Sequence, residues 1–212
     1  MQVESIIFDV DGTLWDSVDL VAESWNLALA ELGLPARCTR ANIQGLFGKT
    51  MAEIAGALAP GEPPQRAAQV MQRCSQRELE YLRSHPCRIF YPGVQETLAE
   101  LARRFRLFIV SNCQQGYIEI LLDKGNLRPL IRDYDCFGNT GTCKGETIRT
   151  LMRRNHIVRA CYVGDTQGDL EAARMAGVPF VWAAYGLGCP AQFDAQIPDF
   201  PALLHLLQPV GQ

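Results

Sequence analysis

Apolar and polar positions change period twice along this chain. In "SIIFDV", residues 5–10, the apolar residues are nearly continuous, as in a strand buried on both faces. Further on, Val18, Val21, Trp25, Ala28 and Leu32 fall three and four apart, which predicts a helix that Asp16 or Ser17 can cap and Gly33 can end. "TMAEIAGALAPG" starts with Thr50 and Glu53 in capping-box spacing and stops at Gly61. "PPQRAAQVMQRCSQRELEYLRSHP" starts on prolines, turns Val70, Met71, Cys74, Tyr81 and Leu82 inward, and stops before Pro86. Residues 15–85 thus read as a small, four-helix-like unit.

From Tyr91 the period changes. "FRLFIVSN", "DYDCF", "RACYVGD" and "VPFVWAAY" are short runs rich in β-branched and aromatic residues, and "GVQETLAELARR", "GETIRTLMRRN" and "QGDLEAARMAG" alternate with them at helical spacing. Such alternation predicts a parallel sheet covered on both faces, and "SIIFDV" belongs to it. The expected fold is an α/β, Rossmann-like three-layer sandwich from residues 1–14 and 86–212. Residues 15–85 are inserted between its first two strands, as a cap over the strands' carboxyl ends that opens for substrate and closes against water.

Bulk properties narrow the field. The 212 residues allow one core with an inserted module, and 48% hydrophobic with 20% charged residues is ordinary for a globular chain. A net charge of −3 offers no basic surface for nucleic acid or anionic lipid. No apolar stretch approaches the roughly 20 residues that span a bilayer. The start, "MQVESIIFDV", lacks a positive flank and a cleavage site, so it reads as a strand and the expected location is cytoplasmic. Eight cysteines, at 38, 74, 87, 113, 136, 143, 161 and 189, form no CxxC pair, and free thiols are expected. Oligomeric state is not legible in the sequence.

The chemistry gathers at strand ends, where ligands bind in such sheets. The first strand delivers Asp9, Asp11 and Thr13; "FIV" delivers Ser111 and Asn112; the loop after "DYDCF" ends in Lys144; "CYV" delivers Asp165 and Asp169. Residues two apart in an extended chain point the same way, so Asp9 and Asp11 are expected to face one site. Asp165 and Asp169, four apart at a helix start, share a face. Close carboxylates repel by about 4 kcal/mol per pair at intermediate dielectric. Lys144 neutralises one charge, and a hard divalent cation bound by oxygen ligands, most simply Mg²⁺, would neutralise the rest. This set suits phosphoryl transfer: one aspartate attacks phosphorus, and a second carboxylic acid protonates the leaving group and later deprotonates water.

"DVDGT", "SN", Lys144 and "GDTQGD", in that order, resemble the haloacid dehalogenase superfamily of phosphohydrolases with a small helical cap, the phosphoglycolate phosphatase and beta-phosphoglucomutase-like branch. The resemblance implies a Mg²⁺-dependent phosphatase acting on a small phosphorylated metabolite. Asp9 is then the nucleophile and Asp11 the acid/base. Thr13, Ser111, Asn112 and Lys144 serve the phosphoryl group. Asp165 ligates the metal with Asp9 and the Asp11 backbone carbonyl, and Asp169 supports the metal site or Lys144. Lys49, in "FGKT", stands where the family's cap closes on substrate. Two departures, "CKGETI" in place of lysine–proline and "GNTGTC" in place of an acidic loop, bear on the substrate and not on the catalytic groups. A phosphomutase or a metabolite-binding protein on the same core are the competing expectations.

Blander roles are open to the same residues. As a calcium loop the start fails, because Leu14 and Leu20 stand where glycine and glutamate are required. "FGKT" fails as a P-loop, with Ile43 in place of the first glycine. "GLGCPA" reads as a plain loop, Asp165 as a cap of the helix that follows it, and Trp25, Met71 and Tyr81 as core-face residues.

Overall fold

The computed structural model describes residues 1–47, 49, 51–86 and 89–210. In chain order the elements are β1 (Gln2–Val3), β2 (Ser5–Phe8), α1 (Val18–Glu31), α2 (Arg40–Gln44), α3 (Met51–Leu58), α4 (Pro64–Ser84) and α5 (Val94–Leu101). There follow β3 (Arg106–Ser111), α6 (Tyr117–Gly125), β4 (Ile131–Cys136), α7 (Phe137–Thr140), α8 (Lys144–Arg154), β5 (Ala160–Gly164) and α9 (Gln167–Ala176). The chain ends with β6 (Phe180–Ala183), β7 (Ala195–Ile197), a 3₁₀ turn at Phe200–Ala202, α10 (Leu203–Leu206) and β8 (Gln208–Pro209).

These elements form two compact units, Met1–Asp16 with Ile89–Gln212, and Ser17–Arg88. Trp15 and Asp16 stay with the first unit because Trp15 bridges to Asp11 and Phe90, and the Asp16 N–H donates to the Ile89 carbonyl at 2.8 Å.

The first unit carries a six-stranded parallel sheet in the order β4-β3-β2-β5-β6-β7. Its first strand is central, and connections run outward in both directions, which creates a switch point between β2 and β5. On one face Ile7, Phe108, Val110, Tyr162 and Phe180 pack with Ile148, Leu151, Leu170 and Ala173 of α8 and α9. Elsewhere in the core Phe8 meets Phe200, and α5 packs with the 3₁₀ turn and α10. Among the features unread in the sequence are β7, whose three residues are too few for a pattern, and α6. A small parallel pair, β1 with β8, joins the two ends of the described chain.

In the second unit α1 packs on α2 and α4, and α3 on α4. Trp25 and Met71 are buried as expected, and the Trp25 indole N–H donates to buried Glu78 at 2.8 Å. Tyr81 is only half-buried, since its hydroxyl turns outward to Glu23 at 2.6 Å. Ser17 precedes α1 but its side chain makes no capping bond among the described residues; its backbone is already helical (φ −96°, ψ −2°), whereas a capping serine needs extended geometry. The Thr50 cap expected for α3, Gly48 of "FGKT", and Cys87 lie outside the described residues.

Candidate active site

Register places the strand-end residues together. Phe8 pairs with Ile109 on one side and Val163 on the other, so Asp9, Ser111 and Asp165 emerge from adjacent strands at one edge. The Asp9 N–H continues the ladder with a 2.9 Å bond to the Val163 carbonyl. Beyond it, Thr13 and Leu14 N–H groups turn back to Val10 O, a tight loop in which Gly12 takes φ +80°.

Lys144, the first residue of α8, carries its ammonium into this edge and is itself buried. It donates to Asp9 Oδ1 at 2.9 Å and to Asp169 Oδ1 at 2.6 Å. Carboxylate oxygens of Asp9, Asp165 and Asp169 all lie within 4.8 Å of one another. Asp169 is engaged on both oxygens. Its Oδ2 accepts from Thr166 N at 2.9 Å, Thr166 Oγ1 at 2.7 Å and Asp165 N at 3.2 Å, and the Tyr162 hydroxyl lies 3.4 Å from Oδ1. The cap of α9 is therefore Thr166 in a capping box with Asp169, and not Asp165, whose carboxylate turns the other way. Asp165 Oδ2 accepts from Leu187 N at 2.7 Å and Gly188 N at 3.2 Å, while its Oδ1 is buried with no hydrogen-bond partner among the described residues.

The electrostatics follow from this packing. Burial first, then the Asp169 charge, pushes Asp9 up to about 7, against the pull of Lys144. Burial and the charges of Asp169 and Asp9 push Asp165 well above the carboxylate range. Burial would raise Asp169 too, but Lys144 and Thr166 more than offset it and hold that carboxyl low. Burial would lower Lys144, and its two carboxylates outweigh that and hold it protonated. Three buried carboxylates against one ammonium leave the cluster short of positive charge. An orphaned buried oxygen on Asp165 and an all-oxygen donor set fit a hard divalent cation.

Asp11 has anchors of its own. Its Oδ1 accepts from the Trp15 indole N–H at 2.8 Å and the Tyr117 hydroxyl at 2.7 Å, and its carboxylate is not part of the cluster of three. β2 ends at Phe8, so Asp9 and Asp11 both stand in the segment that leaves the strand, and the Asp11 charge adds to the upward push on Asp9. Of the other anticipated residues, Thr13 is buried with its hydroxyl unpartnered among the described residues, Ser111 is buried at the end of β3, and Asn112 is half-buried beside it. Lys49 is exposed in the second unit, its backbone N–H bonded to Leu46 O at 3.1 Å.

Three groups here escaped the sequence reading: Trp15, Tyr117, and the Leu187–Gly188 amides. The "GLGCPA" loop is more than a connection. A Cβ on Gly186 would collide with Gly12 O and Asp165, and one on Gly12 would collide with the Asp165 carboxylate. Glycine clustered after a strand was the available signal.

A sequence model of the haloacid dehalogenase-like hydrolase family matches residues 6–183. A phosphoglycolate phosphatase of Synechococcus elongatus is 30% identical over 203 residues, covering 93% of this chain and 92% of its own. A predicted phosphoglycolate phosphatase from Haemophilus somnus superposes with a TM-score of 0.82 at 24% identity, over 97% of this chain and 98% of that one. CbbY from Rhodobacter sphaeroides, solved with xylulose-(1,5)bisphosphate, superposes at 0.80 with 22% identity, over 95% and 96%. At those identities the two structures speak to fold alone.

Proposed function

We propose, from the premise that this chain belongs to the haloacid dehalogenase-like hydrolases and is a phosphoric monoester hydrolase, a Mg²⁺-dependent phosphatase that works through an aspartyl-phosphate on Asp9. Its substrate is a small phosphorylated metabolite: a phosphoglycolate-like compound, a sugar phosphate or a nucleotide monophosphate. The relative from Synechococcus elongatus bears the name phosphoglycolate phosphatase, which puts that class first.

The reading rests on one observation: buried Lys144 joins Asp9 to Asp169 beside an Asp165 whose Oδ1 has no partner among the described residues. An Asp9 carboxylate oxygen attacks phosphorus, and the bond to the leaving oxygen breaks as that oxygen takes the Asp11 proton. Asp11 then takes a proton from water, which attacks phosphorus and releases inorganic phosphate and Asp9. Lys144 and the hydroxyl and amide groups of Thr13, Ser111 and Asn112 hold the phosphoryl oxygens as charge develops. Asp9, Asp165 and the Asp11 backbone carbonyl would hold the cation, which supplies charge stabilisation to the phosphoryl group. Asp169, with both oxygens engaged, acts by holding Lys144. Lys49 is a specificity contact on sequence position alone.

The test is inorganic phosphate release from a panel of phosphorylated metabolites, with Mg²⁺ or chelator, by wild type and Asp9→Asn. Turnover that needs both Mg²⁺ and Asp9 supports the reading and ranks substrates. A folded protein that releases phosphate from no compound overturns it.

A further inference from the structure

We propose that Trp15 and Tyr117 are positioning residues that confine the transferable proton of Asp11 to its Oδ2 and aim it at the leaving oxygen. The inference rests on the reading of Asp11 as acid/base.

Both donors converge on one oxygen. Trp15 Nε1 is 2.8 Å and Tyr117 Oη 2.7 Å from Asp11 Oδ1. An indole N–H only donates, and a carboxyl oxygen has two lone pairs, so these two bonds fill the acceptor capacity of Oδ1. The proton that Asp11 hands over therefore sits on Oδ2. Carboxyl torsions are broad and two-fold, so an untethered Asp11 would share the proton between two oxygens and a range of angles. Two donors at fixed points remove that freedom, which is the kind of orientation that proton transfer depends on.

The donors are themselves immobile. Trp15 is 0% and Tyr117 1% exposed, and their rings meet edge to face at 5.3 Å and 89°. Phe90 also packs on Trp15, ring centroids 5.9 Å apart, and the Trp15 backbone bridges to both Asp11 and Phe90. The Gly12 N–H donates to Trp15 O at 2.9 Å, so the indole is tied to the same loop that carries the carboxylate it orients. Tyr117 arrives from the first turn of α6, 106 residues away in sequence.

A merely structural pair would slow all substrates alike. A pair that aims a proton matters most where the leaving group cannot depart without one. The experiment compares kcat/KM, which reports steps through loss of the leaving group, for p-nitrophenyl phosphate and for the alkyl monoester that wild type turns over fastest. Asp11→Asn calibrates the acid role: loss of a general acid typically costs ~10²–10⁴-fold, and the loss should fall mainly on the alkyl ester. Tyr117→Phe, which deletes one hydroxyl, should lower the alkyl value ~10-fold or more while changing the aryl value less than ~3-fold, a fraction of the whole acid effect. Trp15→Phe provides a second trial if Tyr117→Phe does not fold. If Asp11→Asn discriminates between the esters and the folded Phe variants slow both equally, the positioning role is wrong and the acid reading stands. If Asp11→Asn itself slows both equally, the acid reading falls and this inference with it.

Discussion

The Lys144 ammonium lies 2.6 Å from Asp169 and 2.9 Å from Asp9, so the carboxylate that holds the lysine most closely is the one whose remaining oxygen is tied down by Thr166. Asp169 thus transmits the capping box of α9 to the group beside the proposed nucleophile. Replacing it with asparagine removes one of the two negative charges that keep the buried lysine in place.

Asp169→Asn is therefore expected to lower kcat/KM about 10²-fold, on the scale of losing one preorganised electrostatic contact, with circular dichroism unchanged. Wild-type kinetics in this variant would refute the holding role.

Removing metal should make stability depend on pH in a particular direction. Burial pushes Asp9 up to about 7 from 3.8, and Asp165 moves the same way. Groups with raised folded pKa bind more protons when folded, so their stabilisation is full below about 4 and is lost as pH rises through about 7. In chelator, Tm should fall between those limits, and added Mg²⁺ should restore it at neutral pH. Asp165→Asn should weaken both effects. A flat profile in chelator would contradict the charge balance argued for the cluster.

Gly12 faces two constraints at once, a left-handed φ of +80° and the Asp165 carboxylate where a Cβ would stand. Gly12→Ala should cost about 1–2 kcal/mol from the backbone alone, read as a lower Tm. It should also weaken Mg²⁺ binding, measured by calorimetric titration, because Asp165 has to move. Unchanged Mg²⁺ affinity would separate Gly12 from the cation site.

The cysteines should divide by access. Burial pushes Cys38 up to about 11 and Cys74 and Cys161 up to about 12, whereas Cys143 and Cys189 are exposed. Brief alkylation at pH 7.5 followed by peptide mass spectrometry should label Cys143 and Cys189 before Cys38, Cys74 and Cys161. Because Cys143 precedes Lys144 in the chain, its modification should lower phosphatase activity. Labelling of Cys161 at the same rate would contradict the packing of β5.

The class of fold is legible in the chain alone, because continuous apolar runs and helical spacing are properties of neighbouring residues. So are Asp9, Ser111, Lys144 and Asp165 as candidates, since a strand in a parallel sheet presents its polar chemistry at its carboxyl end. Tertiary structure alone decided which oxygens meet. Asp9 and Asp11, two apart in the chain, take different partners, Lys144 for the first and Trp15 with Tyr117 for the second. Asp169 serves Lys144, which stands 25 residues earlier; Tyr117 meets Asp11 across 106 residues, and Leu187 meets Asp165 across 22. Pairings of that kind depend on strand order and on where loops return, and no local period in the chain encodes them.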